Sequence, residues 1–566
     1  MTLDLEAARR QTLVTSVKAE DVHRLLKGRL RMPPHPEWQL PEQPTWLEDP
    51  FEDRNWRFQY HMLRWLEPLR RAAALGNDAA FEMWLRWVTN WVERNPPEDP
   101  RTAWAWTDMS DGIRAQQLCS ASTLMADRAP ERLEWLETTI RVHAEHLADP
   151  ANMGNANHAL HQQESLFICG RVLQEERLWQ LAARRMSALL MEQYDEQGMN
   201  AEGATAYHYN NYLWWERALH RFDLERLDRP DGADRHLHAP EQIAHATKPD
   251  GTLVAIGDTD VQNPKLIESP FIEYVTTDGR RGTAPQDLVK VYDAGYVFGR
   301  SGWGDAHRSY SDQTYYTVRF GPARRVHGHP DGTSITYSSR GVNWLVDPGK
   351  YQYGRSTPRD HFASRAAHSV LSVEGRVAFK DSFVELTSHR LYSRAHEYVL
   401  EDLSYDGIDL TRRVIYSTRG EYLVVLDRAV ARRRITCLQR WQLGPEVETD
   451  VDGDTVRLSS GDRHAALWFD GSPGEIATVR AQDDPFDGYV STGWKRMAPA
   501  TAVTAERRGT AVSFVTVLVA DETSVPTVHT VRTTDPTHLA LDVTTTAQTE
   551  RILISPSAVS FPRLLV

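Results

Sequence analysis

From about residue 20 to residue 265 the apolar positions recur every three or four residues. In DAAFEMWLRWVTNWVERNP, Phe81, Trp84, Val88 and Trp91 fall on one face of a helix, a stripe of the kind that packs into a core. The same period runs through WRFQYHMLRWLEPLRRAAALG, PERLEWLETTIRVHAEHL, NANHALHQQESLFICGRVL, EERLWQLAARRMSALLMEQY and NNYLWWERALHRFDLERL. Short connections rich in Pro, Gly, Asp and Asn (NPPEDP, ADPANMG, DEQGMNAEG) stop and restart the helices. Helices joined this way run back and forth as stacked hairpins. After about residue 300 the period becomes two. TYYTVRFG, TSITYSS, NWLVDPG, HSVLSVEG, EYLVVLDRAVA, AVSFVTVLVA and ERILISPS are short β-branched or aromatic runs between turn residues, and so many of them predict stacked antiparallel sheets. The pattern predicts a helical domain over 1–265, a linker over 266–300 and a sheet domain over 301–566.

Composition changes this picture little. With 41% apolar and 25% charged residues the 566-residue chain is of the globular class, long enough for two or three domains. The formal charge of -13 argues against nucleic acid as a partner, since that needs a basic face. Three widely spaced cysteines, Cys119, Cys169 and Cys437, make neither a disulfide framework nor a thiolate metal site. No run approaches the roughly 20 apolar residues of a membrane span. If Met1 is the true start, the mixed charges of the first residues carry no signal peptide, and a cytoplasmic protein, monomer or homodimer, is expected.

Three clusters carry candidate chemistry. NMGNANHALHQQE holds Asn157, His158 and His161 at the start of a predicted helix. EGATAYHYNNYLWW holds Glu202, Tyr207, His208 and Tyr209. RRVHGHPDGTSITYSSRGVNWLVDPG holds Arg324, Arg325, His327, His329, Asp331 and Asp347, and RAAHSVLSV adds His368. Each has a bland reading: Asn157 as a helix cap, Tyr207 as a buried ring with a satisfied hydroxyl, His327 as a half-exposed strand residue. Two imidazoles and a carboxylate from three strand ends would also form an N/N/O set of the kind zinc takes.

The string VHGHPDGTSITYSSRGVNWLVDPGKYQYG, followed by RAAHSVLSVEG, resembles the C-terminal signature of the heparinase II/III-like polysaccharide lyases, a superfamily that includes alginate and oligoalginate lyases. NANH and EGATAYHYNNY resemble its Asn-His and Tyr positions, in the same order. The resemblance implies an incomplete (α/α) toroid followed by an antiparallel β-sandwich, an architecture in keeping with the change of period. It implies Asn157 as neutraliser of a substrate carboxylate, His158 and Tyr207 as a proton-transfer pair, and His327 as a further active-site histidine. It also implies His329, Asp347 and His368 as ligands of a structural zinc. His161 replaces a residue that is acidic in one branch, and Tyr209 competes with Tyr207.

The implied reaction is β-elimination on a uronate-containing glycan. The C5 proton is barely acidic while the neighbouring carboxylate is charged, so donors such as Asn157 and His158 must stabilise the enolate-like intermediate. Tyr207 suits protonation of the leaving O4, and in a syn route also abstraction of the C5 proton; His158 or His327 takes that proton in an anti route. Arg114, Arg324 and Arg325 are candidates for gripping uronate carboxylates, and Tyr209 for contacting sugar. Two other classes remain open at this point: a glycoside hydrolase, with Glu202, Asp258 and Asp108 as available acids, and a non-catalytic glycan-binding protein.

Overall fold

The computed structural model describes residues 3–13, 16–107, 109–471 and 474–563; Asp108 lies outside them. The chain forms two compact units. One comprises Met1–Tyr194 and Asn211–Leu237, the other Asp195–Asn210 and His238–Val566.

The first unit is built of helices. Asn77 caps Asp78–Arg94 by accepting from the Ala80 amide, and Phe81, Trp84, Val88 and Trp91 are all buried on the predicted stripe. Ala156–Val172 is enclosed by Met109–Ser120, Leu133–Ala148 and Glu176–Gln193, so even its polar side chains are internal and must find partners. Gln162 donates to the Asn152 carbonyl at 2.9 Å, and Glu164 receives both Arg217 and Arg221. Cys119 and Cys169 are buried, as small apolar residues would be.

The second unit is a stack of antiparallel sheets with five, eleven and four strands. In the central, eleven-stranded sheet the alternation feeds two cores. Along Leu423–Gln442, Leu423 and Val425 enter the core shared with the five-stranded sheet, and Val424 the core shared with the four-stranded one. The five-stranded sheet is also covered on both faces. Val297 and Tyr316 point to the central sheet, whereas Tyr296, Phe298 and Tyr315 pack against Met199, Ala246, Val254 and Ile256. Its strands Tyr296–Arg300, Tyr315–Arg319 and Ile335–Ser339 are therefore buried at every position.

That packing explains where the chain departs from the predicted boundaries. Residues 195–210 and 238–265 read as part of the helical half, yet their apolar side chains complete the sheet unit. The segment read as a linker contains the helix Pro270–Thr276 and the strands Val289–Tyr292 and Tyr296–Arg300. Periodicity reports the local element and not the core that buries it. Among the described residues no helix is long and apolar enough to cross a membrane.

Candidate active site

Within the sheet unit three loops meet at two glycines and a histidine. The Gly203 amide donates to the Val326 carbonyl, and the Asp258 amide to the His327 carbonyl, each at 2.8 Å. Gly257 has a φ of +63°, and a Cβ there would lie 2.4 Å from the Gly203 oxygen and 2.6 Å from the His327 oxygen. His327 itself is in the left-handed region, at +59°, a conformation rare outside glycine and often found at functional positions.

The junction presents the His327 ring flat against Tyr207, with centroids 3.5 Å apart and planes within 8°. Tyr207 lies in the first turn of Thr205–Leu224. Its hydroxyl meets that of Tyr353 at 2.6 Å. Burial, then the neighbouring Tyr353, Asp258 and Glu202, push the Tyr207 phenol far above its ordinary range, which keeps it protonated. Tyr209 points elsewhere: two residues on turn a helix by about 200°, and its buried hydroxyl is placed against the backbone of Leu266.

Asp258 joins the parts. One carboxylate oxygen is 3.1 Å from His327 Nδ1, the other 3.2 Å from His329 Nε2, and Arg359 also donates to it. Burial opposes its ionisation, but the two histidines and Arg359 outweigh burial and hold it well below the usual carboxylate range. Glu202 lies 3.8 Å from His327 Nε2. Lys350 ion-pairs with Asp260 at 2.8 Å and reaches the Tyr353 hydroxyl at 3.4 Å.

Behind His327, three buried side chains converge: ligand atoms of His329, Asp347 and His368 all lie within 4.8 Å of one another. His368 donates through Nδ1 to the Ser364 carbonyl at 2.7 Å, leaving Nε2 facing Asp347 Oδ2 at 3.4 Å. His329 Nδ1 is buried without a hydrogen-bond partner. Two ring nitrogens and one carboxylate, enclosed and fixed from behind, fit a small divalent cation.

The helical unit holds the other candidates. Asn157 is buried at the start of Ala156–Val172, and half-buried His158 stacks near Phe58, with centroids 6.2 Å apart. His161 is fully enclosed; burial, then Arg217, lower it to about 3, so it carries no charge to offer a carboxylate. Arg114 is a correction to the expected substrate contacts. It has no exposed surface and lies between Trp91 and Trp106, donating to His143 and to the His61 carbonyl. Its apolar stem and flat head fill a core. Arg325 is turned inward onto the Ala294 carbonyl, whereas Arg324 is exposed near Asp381.

Residues 283–529 match the family described as Heparinase II/III-like, C-terminal. That stretch of the chain is of the heparinase II/III-like C-terminal type. Among relatives, it is 23% identical over 452 residues to a heparin-sulfate lyase of Bacteroides stercoris, covering 70% of this chain and 66% of that one. It is 21% identical over 439 residues to a heparin-sulfate lyase of Pedobacter heparinus, covering 70% and 64%. The chain thus spans just under two thirds of the length of these relatives. A crystal structure of heparinase III superposes with a TM-score of 0.79 at 18% identity, over 96% of this chain and 92% of that one. At that identity the likeness establishes the fold alone, a helical toroid and an antiparallel sandwich.

Tyr353, Arg359 and Lys350 lie outside the site as the sequence presents it, and Asp258 enters there only as an available acid for a hydrolase. Asp258 stands in IGDTD, where a Gly-Asp turn between two non-periodic stretches was the only local signal, and Arg359 is 101 residues further along.

Proposed function

We propose that this protein is a polysaccharide lyase that cleaves a uronate-containing glycan by β-elimination. The observation that carries the reading is the stacked Tyr207 and His327 pair, a protonated phenol beside an imidazole held by a carboxylate. In this reading His327 takes the C5 proton through Nε2 and Tyr207 delivers a proton to O4 as the bond to C4 breaks. Asn157 and His158 donate to the uronate carboxylate and steady the enolate-like charge. Zinc is the cation assigned to His329, Asp347 and His368, where it would fix the strand ends that carry His327.

A glycoside hydrolase needs two carboxyl groups flanking the bond, one of them protonated. Asp258 could serve only as the ionised member of such a pair, and its two oxygens are already engaged by His327, His329 and Arg359. The lyase reading is therefore preferred.

The names of the two relatives put heparan-type glycans first in the test panel, followed by chondroitin and alginate. Elimination creates a C4=C5 double bond conjugated with the carboxylate, and ultraviolet absorbance must rise as chains are cut. New reducing ends without that absorbance would replace the proposal with hydrolysis; binding without either product would leave a glycan-binding protein.

A further inference from the structure

We infer that Asp258 is a positioning residue that couples the cation site to the reacting histidine. The inference rests on the lyase reading only for its activity arm. An ionised carboxylate can accept but not donate, so both histidines must present N–H to it: His327 from Nδ1 at 3.1 Å and His329 from Nε2 at 3.2 Å. Those tautomers are assigned by the donor and acceptor pairing. A neutral imidazole has one N–H, and this arrangement leaves lone pairs at His327 Nε2 and His329 Nδ1. The first is the atom assigned to proton abstraction. The second is the buried nitrogen without a hydrogen-bond partner, the one available to a cation held with Asp347 and His368.

Asp258 also grips His327 through the backbone, its amide donating to the His327 carbonyl at 2.8 Å. One carboxylate thus sets the tautomer and the orientation of both rings, and Arg359, which donates to the same oxygen as His329, keeps the carboxylate in place. A cation that fixes His329 fixes Asp258, and Asp258 fixes His327.

The test compares the zinc-loaded wild type with Asp258→Asn, each alone and in a His329→Ala background. Zinc affinity is read by competition with a chromogenic chelator, and kcat and KM separately on a cleaved glycan. An amide cannot accept from both rings and Arg359, so Asp258→Asn should weaken zinc by roughly 10- to 100-fold and lower kcat by a similar factor, with KM nearly unchanged. In the His329→Ala background kcat should fall again on Asp258→Asn. A zinc loss with no change of kcat in that background would make Asp258 a servant of the metal alone and overturn the coupling; unchanged zinc affinity and kcat would overturn the whole inference. Nitrogen chemical shifts of labelled histidine rings in the wild type give a readout that needs no folded variant: Nδ1–H at His327 and Nε2–H at His329 support it, and the reverse tautomer at either ring overturns it. If the wild type cleaves no glycan, the lyase reading fails while zinc affinity and tautomers still decide the role of Asp258.

Discussion

Tyr207 is worth more than its burial. A phenol packed at 3.5 Å on His327 and bonded to Tyr353 is held protonated, the form in which the proposed elimination would use it as its acid. Tyr207→Phe keeps the ring and removes the proton. It should lower kcat by about 10²- to 10⁴-fold and leave the melting profile close to that of the wild type. A variant that turns over normally would remove Tyr207 from the chemistry. Arg114 teaches the opposite lesson, because guanidinium chemistry alone made it a candidate for substrate, and Trp91 and Trp106 claim it for the core.

Between elements, charge and glycine are decisive. Glu164 on Ala156–Val172 is fully buried and meets Arg217 and Arg221 of the helix that begins at Thr205. Burial alone would raise its pKa, but Arg217 and then Arg221 bring it from 4.5 to about 2. A lowered folded-state value means stability that is fully present above about pH 4.5 and lost as pH falls towards 2. The linkage is on the order of 3 kcal/mol. Acid unfolding of Glu164→Gln, followed by circular dichroism, should show a flatter pH dependence across that window; an unchanged slope would show that the pair contributes nothing. Gly257→Ala tests the junction of loops in the sheet unit. Its Cβ would press on the backbone oxygens of Gly203 and His327, so a loss of about 1–3 kcal/mol and of most activity is expected, and a stable, active variant would show that the loops can part.

For the molecule as a whole, the cation is expected to act on stability first. If zinc holds three strand ends of the sheet unit together, chelation should lower that unit's thermal midpoint by on the order of 5 °C, and added zinc should restore it. Activity should decline with the melting shift and return with it. A chelator-treated protein with an unshifted midpoint and no bound metal would remove the ion from the architecture and leave His329, Asp347 and His368 as a buried polar cluster.

Much was legible along the chain because local period is a local property. A spacing of three and four makes a helix wherever it is buried, and Phe81, Trp84, Val88 and Trp91 sit on the predicted face. Alternation makes strands, and the family resemblance carried by VHGHPDG, WLVDPG and RAAHS, not their spacing, brought His329, Asp347 and His368 forward as one ligand set, the set whose atoms converge. What the sequence could not give was partnership across long separations. Asp258 reaches His327 over 69 residues and Arg359 over 101, and no spacing rule spans such distances. Residues 195–210 looked like any other stretch of the helical half until Met199 proved to belong to the core of the five-stranded sheet. Period determines the element; only the packed chain determines which core receives it and which side chains then meet, because burial and hydrogen bonding are settled between segments and not within them.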